Sequence, residues 1–312
     1  MDSTLRFFEN KRILITGGGG YLGSKLAEVL LVSNASLKLL DIAFNEISNS
    51  VAISNSNVEL VNIDLTKKDS LHKFCQKTKP DYIFHFAAIL NRVRDFEIYD
   101  ILYKVNVGGT LNLLESLKNC NYKGFFMAST SEVYGVNNQV PFHEDQLPEP
   151  SSPYSLTKLM AENLCKTYSA LHSKPYTILR LFNFFGPEMP EETFIGQMMA
   201  HFRSNKKFYM TKGSQKRDFV YIDNLIDQVL FIVRSNVKLF DTYNVCSNKS
   251  TSMLEVVKIF KEITNNQFEF VTSLDYRPNE IWEMIGSNKR ILEMGYYPNT
   301  FSLKDDLIKT IN

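Results

Sequence analysis

Residues 12–23 read RILITGGGGYLG, an apolar run that leads straight into four consecutive glycines. The run RILIT has the length and composition of a buried strand, and a helical pattern begins directly after the glycines. Glycines at positions 17, 20 and 23 allow a tight turn, a close approach to a phosphate and close packing of the helix on the strand. The helix N-terminus adds backbone donors and positive potential. The stretch therefore predicts a dinucleotide-binding turn formed by Gly17, Gly20, Tyr21, Leu22 and Gly23.

The next apolar run, 37–40, is followed directly by Asp41. A carboxylate at the end of the second strand can accept hydrogen bonds from both ribose hydroxyls of a dinucleotide, and it repels a 2′-phosphate. Residues 42–46 read IAFNE and offer no Lys or Arg that would neutralise such a phosphate. NAD is therefore the expected cofactor rather than NADP, with a helix cap or a turn as the structural alternative for Asp41.

Short apolar runs alternate with longer segments of helical spacing through the first 180 residues. The predicted strands are 12–16, 37–40, 58–62, 82–86, 125–128 and 177–181. The predicted helices are 21–33, 67–78, 102–119 and 153–171. Nearly continuous apolar strands separated by helices favour a Rossmann-like, doubly wound parallel sheet of the α/β class. The Ser- and Asn-rich stretch 48–57 is expected to be a loop.

The alternation changes after Gly186-Pro187. We expect residues 1–185 to form an NAD-binding domain to which residues 218–247 return. Residues 186–217 and 248–312 are expected to form a smaller, partly interleaved α/β substrate-binding region.

The composition is that of an ordinary globular protein, with 44% hydrophobic and 22% charged residues among 312. A net charge of +1 without a long basic run argues against nucleic acid or an anionic membrane as the main partner. No segment approaches the roughly 18 apolar residues of a membrane span, so a cytoplasmic protein is expected. Four well-separated cysteines form no Cys-x-x-Cys pair, which predicts neither a disulfide framework nor a metal site.

Tyr154 and Lys158 stand one helical turn apart in the segment YSLTK. Pro153 suits the first turn of a helix and Ser151 or Ser152 its N-cap, so both side chains share one helix face. An ammonium group beside a phenol stabilises the phenolate and lowers the pKa of the phenol. The phenolate can then act as a base near neutral pH. Thr130 follows the apolar run 125–128, where the carboxyl end of a parallel strand meets the ligand crevice.

With the glycine turn, Asp41, Thr130 and the Tyr154–Lys158 pair in this order, the chain resembles the extended short-chain dehydrogenase/reductase family. Within that family it is most similar to the NAD-dependent nucleotide-sugar epimerases and dehydratases, and the resemblance spans almost the whole chain. It implies that the cofactor-binding residues also include Asp64, Leu65, Phe86, Ala87, Ala88, Asn106, Tyr154 and Lys158. It further implies that a nucleotide-diphosphate sugar is held by Asn183 and by two diphosphate-binding arginines, Arg217 and Arg277.

The resemblance also implies a first chemical step. Tyr154 takes the proton of the sugar 4-hydroxyl, Thr130 hydrogen-bonds the same oxygen, and Lys158 holds the phenolate and the cofactor ribose. The product is a 4-keto sugar. Its rotation makes the enzyme a 4-epimerase, whereas removal of the C5 proton by Glu132 and loss of the C6 hydroxyl make it a 4,6-dehydratase. A structural hydrogen-bond acceptor is the alternative role for Glu132.

Three other functions stay open from the sequence. A reductase of a nucleotide-linked 4-keto-6-deoxy sugar would consume reduced cofactor and need no base at C5. A UDP-glucuronate decarboxylase needs a cation for the substrate carboxylate, and residues 150–153, which read PSSP, lack the arginine that these enzymes usually have there. A non-enzymatic dinucleotide-binding protein has little reason to keep Thr130, Tyr154 and Lys158 together.

The predicted helices 102–119 and 153–171 carry apolar residues on more than one side. Packing on the sheet explains part of this pattern. In the resembling family the two equivalent helices pair with their copies across a two-fold axis, so a homodimer is expected.

Overall fold

The computed structural model describes residues 3–91, 93–235, 240–276, 280–298 and 302–311. Its strands are Arg12–Thr16 (β1), Ser36–Asp41 (β2), Val58–Asn62 (β3), Tyr82–His85 (β4), Gly124–Thr130 (β5), Tyr176–Leu181 (β6), Asn183–Phe185 (β7), Phe208–Met210 (β8), Lys216–Arg217 (β9), Phe219–Tyr221 (β10), Phe240–Val245 (β11), Thr251–Ser252 (β12), Phe270–Thr272 (β13) and Glu283–Met284 (β14).

The α-helices are Ser3–Arg6 (α1), Tyr21–Leu30 (α2), Glu46–Ser54 (α3), Lys68–Thr78 (α4), Tyr99–Leu102 (α5), Gly109–Leu117 (α6), Pro153–His172 (α7), Phe194–Arg203 (α8), Ile222–Ser235 (α9), Met253–Ile263 (α10), Lys289–Glu293 (α11) and Leu303–Ile311 (α12). Short 3₁₀ segments cover Leu31–Ser33, Phe96–Ile98 and Ser131–Tyr134. Between α5 and α6 the chain forms a π-helix over Tyr103–Gly108.

The central sheet has seven strands in the order β3-β2-β1-β4-β5-β6-β11. Strand β1 pairs in parallel with β2 and β4, and the pairs β2–β3 and β4–β5 are also parallel. The strand order reverses between β1 and β4, and such a switch point places a ligand crevice at the carboxyl ends of the strands. This arrangement confirms the predicted Rossmann-like, doubly wound α/β fold.

Both faces of the sheet are covered, as its apolar strands require. Every residue of β5 is buried, which is the pattern of a central parallel strand. On one face the helices α4, α6 and α7 share a core cluster with the strands, including Leu71, Leu113 and Cys165. On the other face, α2 packs against β1 and β2. Each fully buried aliphatic side chain contributes about 1.5–3 kcal/mol.

The structure corrects the expected loop at 48–57, because α3 occupies Glu46–Ser54. The side chain of Asn45 caps this helix by accepting a hydrogen bond from Ser48 N at 2.8 Å. Ile47 and Val51 are buried on its inner side. Capping and burial therefore outweigh the low helix propensity of Ser and Asn.

The chain groups into two compact units. The first comprises Met1–Val133, Pro150–Arg180 and Leu230–Tyr243, and the second comprises Tyr134–Glu149, Leu181–Val229 and Asn244–Asn312. In the second unit β7 pairs with β10, β8 pairs with β13, and β9 lies between β12 and β14. The predicted division into an NAD-binding domain and a substrate-binding region concerns ligands, and it stays a prediction.

Candidate active site

The glycine turn joins the carboxyl ends of β1 and β4. Gly17 has φ +74°, and its N–H donates to Leu40 O at 2.9 Å. A Cβ at Gly17 would lie 2.6 Å from Ala87 N and 2.7 Å from Phe86 C, so only glycine fits there. The predicted residues Gly17, Phe86 and Ala87 therefore stand together at the switch point of the sheet.

The other two glycines of the predicted motif shape the start of α2. Gly20 is the N-cap, and a Cβ there would meet only Gly17 O, at 3.3 Å. A Cβ at Gly23 would collide with the carbonyl of Gly17, so Gly23 lets the helix lie tightly on the turn. The first-turn amides of a helix have no intrahelical acceptor, so those of Leu22 and Gly23 suit a pyrophosphate.

Asp41, the last residue of β2, is held beside the same turn. Its Oδ2 accepts from Gly19 N at 3.0 Å, and its Oδ1 accepts from Ile42 N at 2.7 Å. Each oxygen keeps a further lone pair, so the carboxylate can still accept from ribose hydroxyls. The predicted contact of Asp41 with the cofactor ribose stays a prediction.

Asp64 and Leu65 follow β3. Asp64 Oδ1 accepts from Thr66 N at 2.8 Å, and this hydrogen bond holds the pKa of Asp64 below its usual range. The side chain of Leu65 packs in the core cluster, while its carbonyl accepts from Asn112 Nδ2 at 2.9 Å. The predicted contact of Asp64 and Leu65 with the cofactor stays a prediction.

His85 ends β4 and is 1% exposed. Thr110 Oγ1 donates to Asn106 O at 2.6 Å, so it accepts from His85 Nε2 at 2.8 Å. The other ring nitrogen, Nδ1, then accepts from Thr16 Oγ1 at 2.7 Å. Burial, and after it the charge of Lys158, lowers the pKa of His85 to about 3, so the ring is neutral at physiological pH.

Asn106 lies in the π-helix and is 1% exposed. Its Nδ2 donates to Ile89 O and to Thr157 Oγ1, both at 3.2 Å, while its Oδ1 accepts from Ile89 N at 2.8 Å. Thr157 Oγ1 in turn donates to Tyr154 O at 2.8 Å. Both amide hydrogens of Asn106 are thus used to hold the segment after β4 and the start of α7. Its predicted contact with NAD, like that of the nearby Ala88, stays a prediction.

The predicted catalytic pair, Tyr154 and Lys158, stands in the first turns of α7, as the sequence predicts. Ser152 is the N-cap and forms a reciprocal capping box with Ser155. Tyr154 is 8% exposed and Lys158 3% exposed. Burial lowers the pKa of Lys158 to about 8, against the opposing effects of Cys165 and Glu162.

Helix α7 runs antiparallel to β5. Cys165 Sγ lies 3.5 Å from Met127 Sδ, and one turn earlier Ser129 Oγ donates to Glu162 at 2.5 Å. Earlier residues of α7 therefore lie beside later residues of β5. This direction brings Tyr154 and Lys158 to the carboxyl end of β5, where Thr130 is the last strand residue.

Thr130 and Glu132 belong to one local arrangement. Thr130 is 9% exposed, and its Oγ1 accepts from Glu132 N at 3.2 Å. The Glu132 side chain is half-buried, and its carboxylate makes no hydrogen bond or ion pair within the part of the chain that the structure describes. The alternative role of Glu132 as a structural acceptor therefore finds no partner there.

The predicted substrate residues lie in the second unit. Asn183 begins β7 and pairs with Phe219. Arg217 Nη1 donates to Lys216 O at 2.8 Å and Ile281 O at 2.7 Å, and Nη2 forms an ion pair with Glu280 at 2.7 Å. Arg217 therefore meets a carboxylate in this structure, and diphosphate binding there would compete with Glu280. Arg277 lies outside the described residues.

Sequence reasoning missed the buried ion pair between Glu162 and Arg180, in which Arg180 Nη2 lies 2.8 Å from Glu162 Oε2. The signal was present, because an arginine inside the apolar strand 176–181 has to find a buried partner.

Neither a metal-binding group nor a membrane-spanning helix is found among the described residues. No group of three or more His, Cys, Asp or Glu side chains there is arranged to hold a metal ion. In the same part of the chain, no helix combines the length and the apolar character that crossing a bilayer requires. The expected absence of a metal and the expected cytoplasmic location stay predictions.

Known proteins match this chain over most of its length. UDP-N-acetyl-alpha-D-glucosaminuronate decarboxylase of Bacillus cytotoxicus is 30% identical over 84% of this chain and 83% of its own. dTDP-D-glucose 4,6-dehydratase of Bos taurus is 27% identical over 96% of this chain and 88% of its own. The crystal structure of UDP-glucuronic acid 4-epimerase from Bacillus cereus, in complex with UDP-glucuronic acid and NAD, is 27% identical, with a TM-score of 0.86 over 96% of this chain and 97% of that one.

These three proteins are named for three different reactions, so the similarity identifies the family and not the product. The model of the family described as "NAD dependent epimerase/dehydratase" matches residues 13–246. This match confirms the predicted resemblance to the extended short-chain dehydrogenases/reductases and the predicted NAD cofactor. The chain belongs to the NAD dependent epimerase/dehydratase family.

Proposed function

We propose that this NAD-dependent enzyme oxidises C4 of a nucleotide-activated hexose and then dehydrates the 4-keto sugar across C5 and C6, as a nucleotide-sugar 4,6-dehydratase. The observation that carries the second half of the proposal is the half-buried carboxylate of Glu132. This carboxylate has no protein partner among the described residues, while the backbone N–H of Glu132 donates to Thr130 Oγ1.

The first step belongs to Tyr154, Lys158 and Thr130. Tyr154 as phenolate takes the proton of the 4-hydroxyl, and a C=O bond forms at C4. Lys158, whose ammonium has no hydrogen-bond acceptor among the described residues, stabilises the phenolate and binds the cofactor ribose. Thr130 donates to the oxygen at C4. NAD, when bound, supplies the redox chemistry by accepting the C4 hydride and later returning it to the sugar.

The second step belongs to Glu132. The ketone at C4 makes the C5 proton acidic, and the Glu132 carboxylate takes that proton. The electron pair of the C5–H bond forms a C5=C6 double bond while the C6 hydroxyl leaves, and the proton now on Glu132 passes to this hydroxyl so that it departs as water. Reduction at C6 and addition of a proton from solvent at C5 then give a 4-keto-6-deoxy sugar.

A 4-epimerase is the second candidate. It is supported by the Bacillus cereus 4-epimerase structure, which matches this chain over almost the full length of both proteins. In that reaction the keto sugar is reduced at C4 from its other face, and no group acts at C5. Glu132 then has no chemical role.

Incubation with NAD and a panel of nucleotide sugars in deuterated water distinguishes these candidates. A dehydratase releases a product lighter by one water and carrying deuterium at C5. An epimerase gives unchanged mass and a new sugar, a decarboxylase loses carbon dioxide from a uronic acid, and a 4-keto reductase is active only with added NADH. Any of the last three results contradicts the dehydratase proposal.

The variant Glu132→Gln tests the base directly. If Glu132 removes the C5 proton, the variant should lose about 10²–10⁴-fold in turnover and stop incorporating deuterium at C5. C4 oxidation should persist, seen as accumulation of NADH absorbance. The matched control is Glu149→Gln, a glutamate that receives a hydrogen bond from Asn137 at the surface, and it should behave as native. Unchanged C5 exchange in Glu132→Gln would remove the residue from the mechanism.

We also propose that the first unit binds NAD and the second the nucleotide sugar. All residues expected at the cofactor fall within Met1–Val133 and Pro150–Arg180, while Asn183 and Arg217 fall within Leu181–Val229. We likewise propose that the protein is cytoplasmic.

A homodimer is the proposed assembly. Large apolar side chains are exposed on and around α5 and α6, at Phe96 (65%), Ile101 (49%), Tyr103 (45%) and Leu111 (42%). Covering such a surface with a second copy removes it from water. Light scattering should give twice the mass of the chain, and Ile101→Asp should shift the protein to monomer. A native monomer at micromolar concentration would contradict the proposal.

A further inference from the structure

A buried polar cluster lies directly behind the proposed catalytic groups. Glu162 is 0% exposed and Arg180 2% exposed. Arg180 Nε donates to Glu162 Oε1 at 3.1 Å, and Nη2 donates to Oε2 at 2.8 Å. Ser129 Oγ donates to Glu162 Oε1 at 2.5 Å. Three elements, β5, β6 and α7, thus meet at one carboxylate.

The cluster adjoins the reacting groups along the chain. Ser129 immediately precedes Thr130, and Glu162 follows Lys158 by one turn of α7. The hydrogen bond from Ser129 to Glu162 is therefore a short link between the strand that carries the threonine and the helix that carries the tyrosine and lysine. A shift of either element would change the distance between the groups that act on the 4-hydroxyl.

Stability alone is a weak reason for such a pair. Burial of two charges costs desolvation, and apolar residues of similar volume often give equal or greater stability. A bidentate arginine–carboxylate pair, by contrast, fixes direction as well as distance. The pair is better suited to holding three elements in one geometry than to strengthening the core.

We propose that Glu162 is a positioning residue, which holds Thr130 in register with Tyr154 and Lys158 through its hydrogen bond to Ser129 and its ion pair with Arg180. The inference rests on the proposed function, because it assumes the roles given there to Thr130, Tyr154 and Lys158.

Glu162 also acts on Lys158 electrostatically. Burial lowers the pKa of Lys158 to about 8, and the Cys165 thiol and the Glu162 carboxylate oppose this shift. Among the described residues, the other charged groups near Glu162 are Arg180 and Lys166, whose Nζ is 3.9 Å from Oε2. Loss of the Glu162 carboxylate removes a negative charge that stabilises the Lys158 ammonium. The pKa of Lys158 should therefore fall further, so that Lys158 loses its proton at lower pH.

Two variants separate the effects of position and charge. Ser129→Ala removes the link and keeps the carboxylate, whereas Glu162→Gln removes the charge and weakens both contacts. We expect kcat to fall by roughly tenfold for Ser129→Ala and by up to about 10²-fold for Glu162→Gln, since a displacement of about 1 Å at a reacting group has that effect. KM for the sugar nucleotide should change much less than kcat.

The pH profiles of kcat and of NAD affinity distinguish the proposed role from a purely structural one, because a structural role would not change them. In Glu162→Gln the alkaline limb of kcat, and of NAD affinity, should shift to lower pH, while Ser129→Ala should keep the native limb. The matched control is Ser169→Ala, a buried serine of the same helix that is 6% exposed, and it should leave both quantities unchanged. Native kcat in folded Ser129→Ala together with a native pH limb in folded Glu162→Gln would overturn the proposal.

Glu162→Gln leaves a buried arginine without its counter-charge, so this variant is interpreted only if it folds. The double replacement Glu162→Met with Arg180→Met, which removes both charges, is therefore measured beside it. This double variant should fold and bind NAD yet show the reduced kcat, and a native kcat in it would equally overturn the proposal. Tyr154→Phe is assayed in parallel. If that variant keeps native turnover, the proposed function itself fails, whereas an inactive Tyr154→Phe beside fully active cluster variants rejects the positioning role alone.

Discussion

Tyr154→Phe should abolish measurable turnover while leaving NAD binding near native. The substitution removes one oxygen from a side chain that is 8% exposed and keeps the ring that fills the space. The backbone of α7 is unaffected, because Thr157 bonds the carbonyl of Tyr154 and not its phenol. Loss of a positioned base typically costs about 10²–10⁴-fold in rate. Steady-state turnover and NAD titration measure the two effects separately.

The same helix supplies the control for this variant. Tyr168 is 6% exposed, and its hydroxyl donates to Leu114 O at 3.1 Å. Tyr168→Phe should lower the free energy of unfolding by about 1 kcal/mol, the usual contribution of one hydrogen bond, and leave kcat unchanged. A Tyr154→Phe variant that turns over like the native protein, or an equal loss of rate in Tyr168→Phe, would refute Tyr154 as the base.

The parts of the fold that sequence predicted best are those specified by local pattern. The strands at 12–16 and 58–62 have the predicted bounds, because continuous apolar runs between turn residues leave little choice of end point. The glycine turn was also predictable, since Gly17 needs a positive φ and a close neighbour that no other residue tolerates. NAD, the family and the doubly wound sheet followed from these local features and are confirmed.

Features that depend on tertiary contacts were not predictable in the same way. Helix α3 was expected as a loop because Ser and Asn favour turns, but burial of Ile47 and Val51 stabilises the helix. The π-helix at Tyr103–Gly108 lies inside a segment of ordinary helical spacing, and the changed hydrogen-bond pattern leaves no mark in composition.

Charge partners were the least predictable part of the candidate site. The family resemblance implies that Arg217 binds a diphosphate, whereas the structure pairs it with Glu280, which lies 63 positions away along the chain. Spacing along the chain carries no information on such a pairing. The same holds for Ser129 and Glu162, which are 33 positions apart. The side chains that carry the proposed chemistry were identifiable, whereas the side chains that orient them required the structure.

Lys158→Met should remove activity and at the same time stabilise the protein. An ammonium that stabilises the phenolate and binds the cofactor ribose is an electrostatic group of the active site, and loss of one such group usually costs about 10²–10³-fold in rate. The charge is also expensive to bury, since Lys158 is 3% exposed and no acceptor among the described residues receives its hydrogen bonds. Methionine has a similar length and no desolvation cost.

The pH dependence gives the sign of the stability effect. Because burial lowers the pKa of Lys158 from 10.5 to about 8, folding favours its neutral form. The contribution of Lys158 to the free energy of unfolding is therefore fully present above pH 10.5, where the amine is neutral in both states, and is lost as the pH falls through about 8. The increase in the free energy of unfolding from Lys158→Met should therefore be largest below pH 8, on the order of 3 kcal/mol, and should shrink as the pH rises toward 10.5.

Urea unfolding of the native protein and the variant, each at pH 7 and pH 10, measures this difference. The control is Lys73→Met in α4, an exposed side chain, and removal of its charge should change neither turnover nor the pH dependence of stability appreciably. A Lys158→Met variant that is less stable than the native protein at pH 7 would show that the ammonium is satisfied within the protein. Lys158 would then be a structural residue, and the helper role proposed for it beside Tyr154 would have to be abandoned.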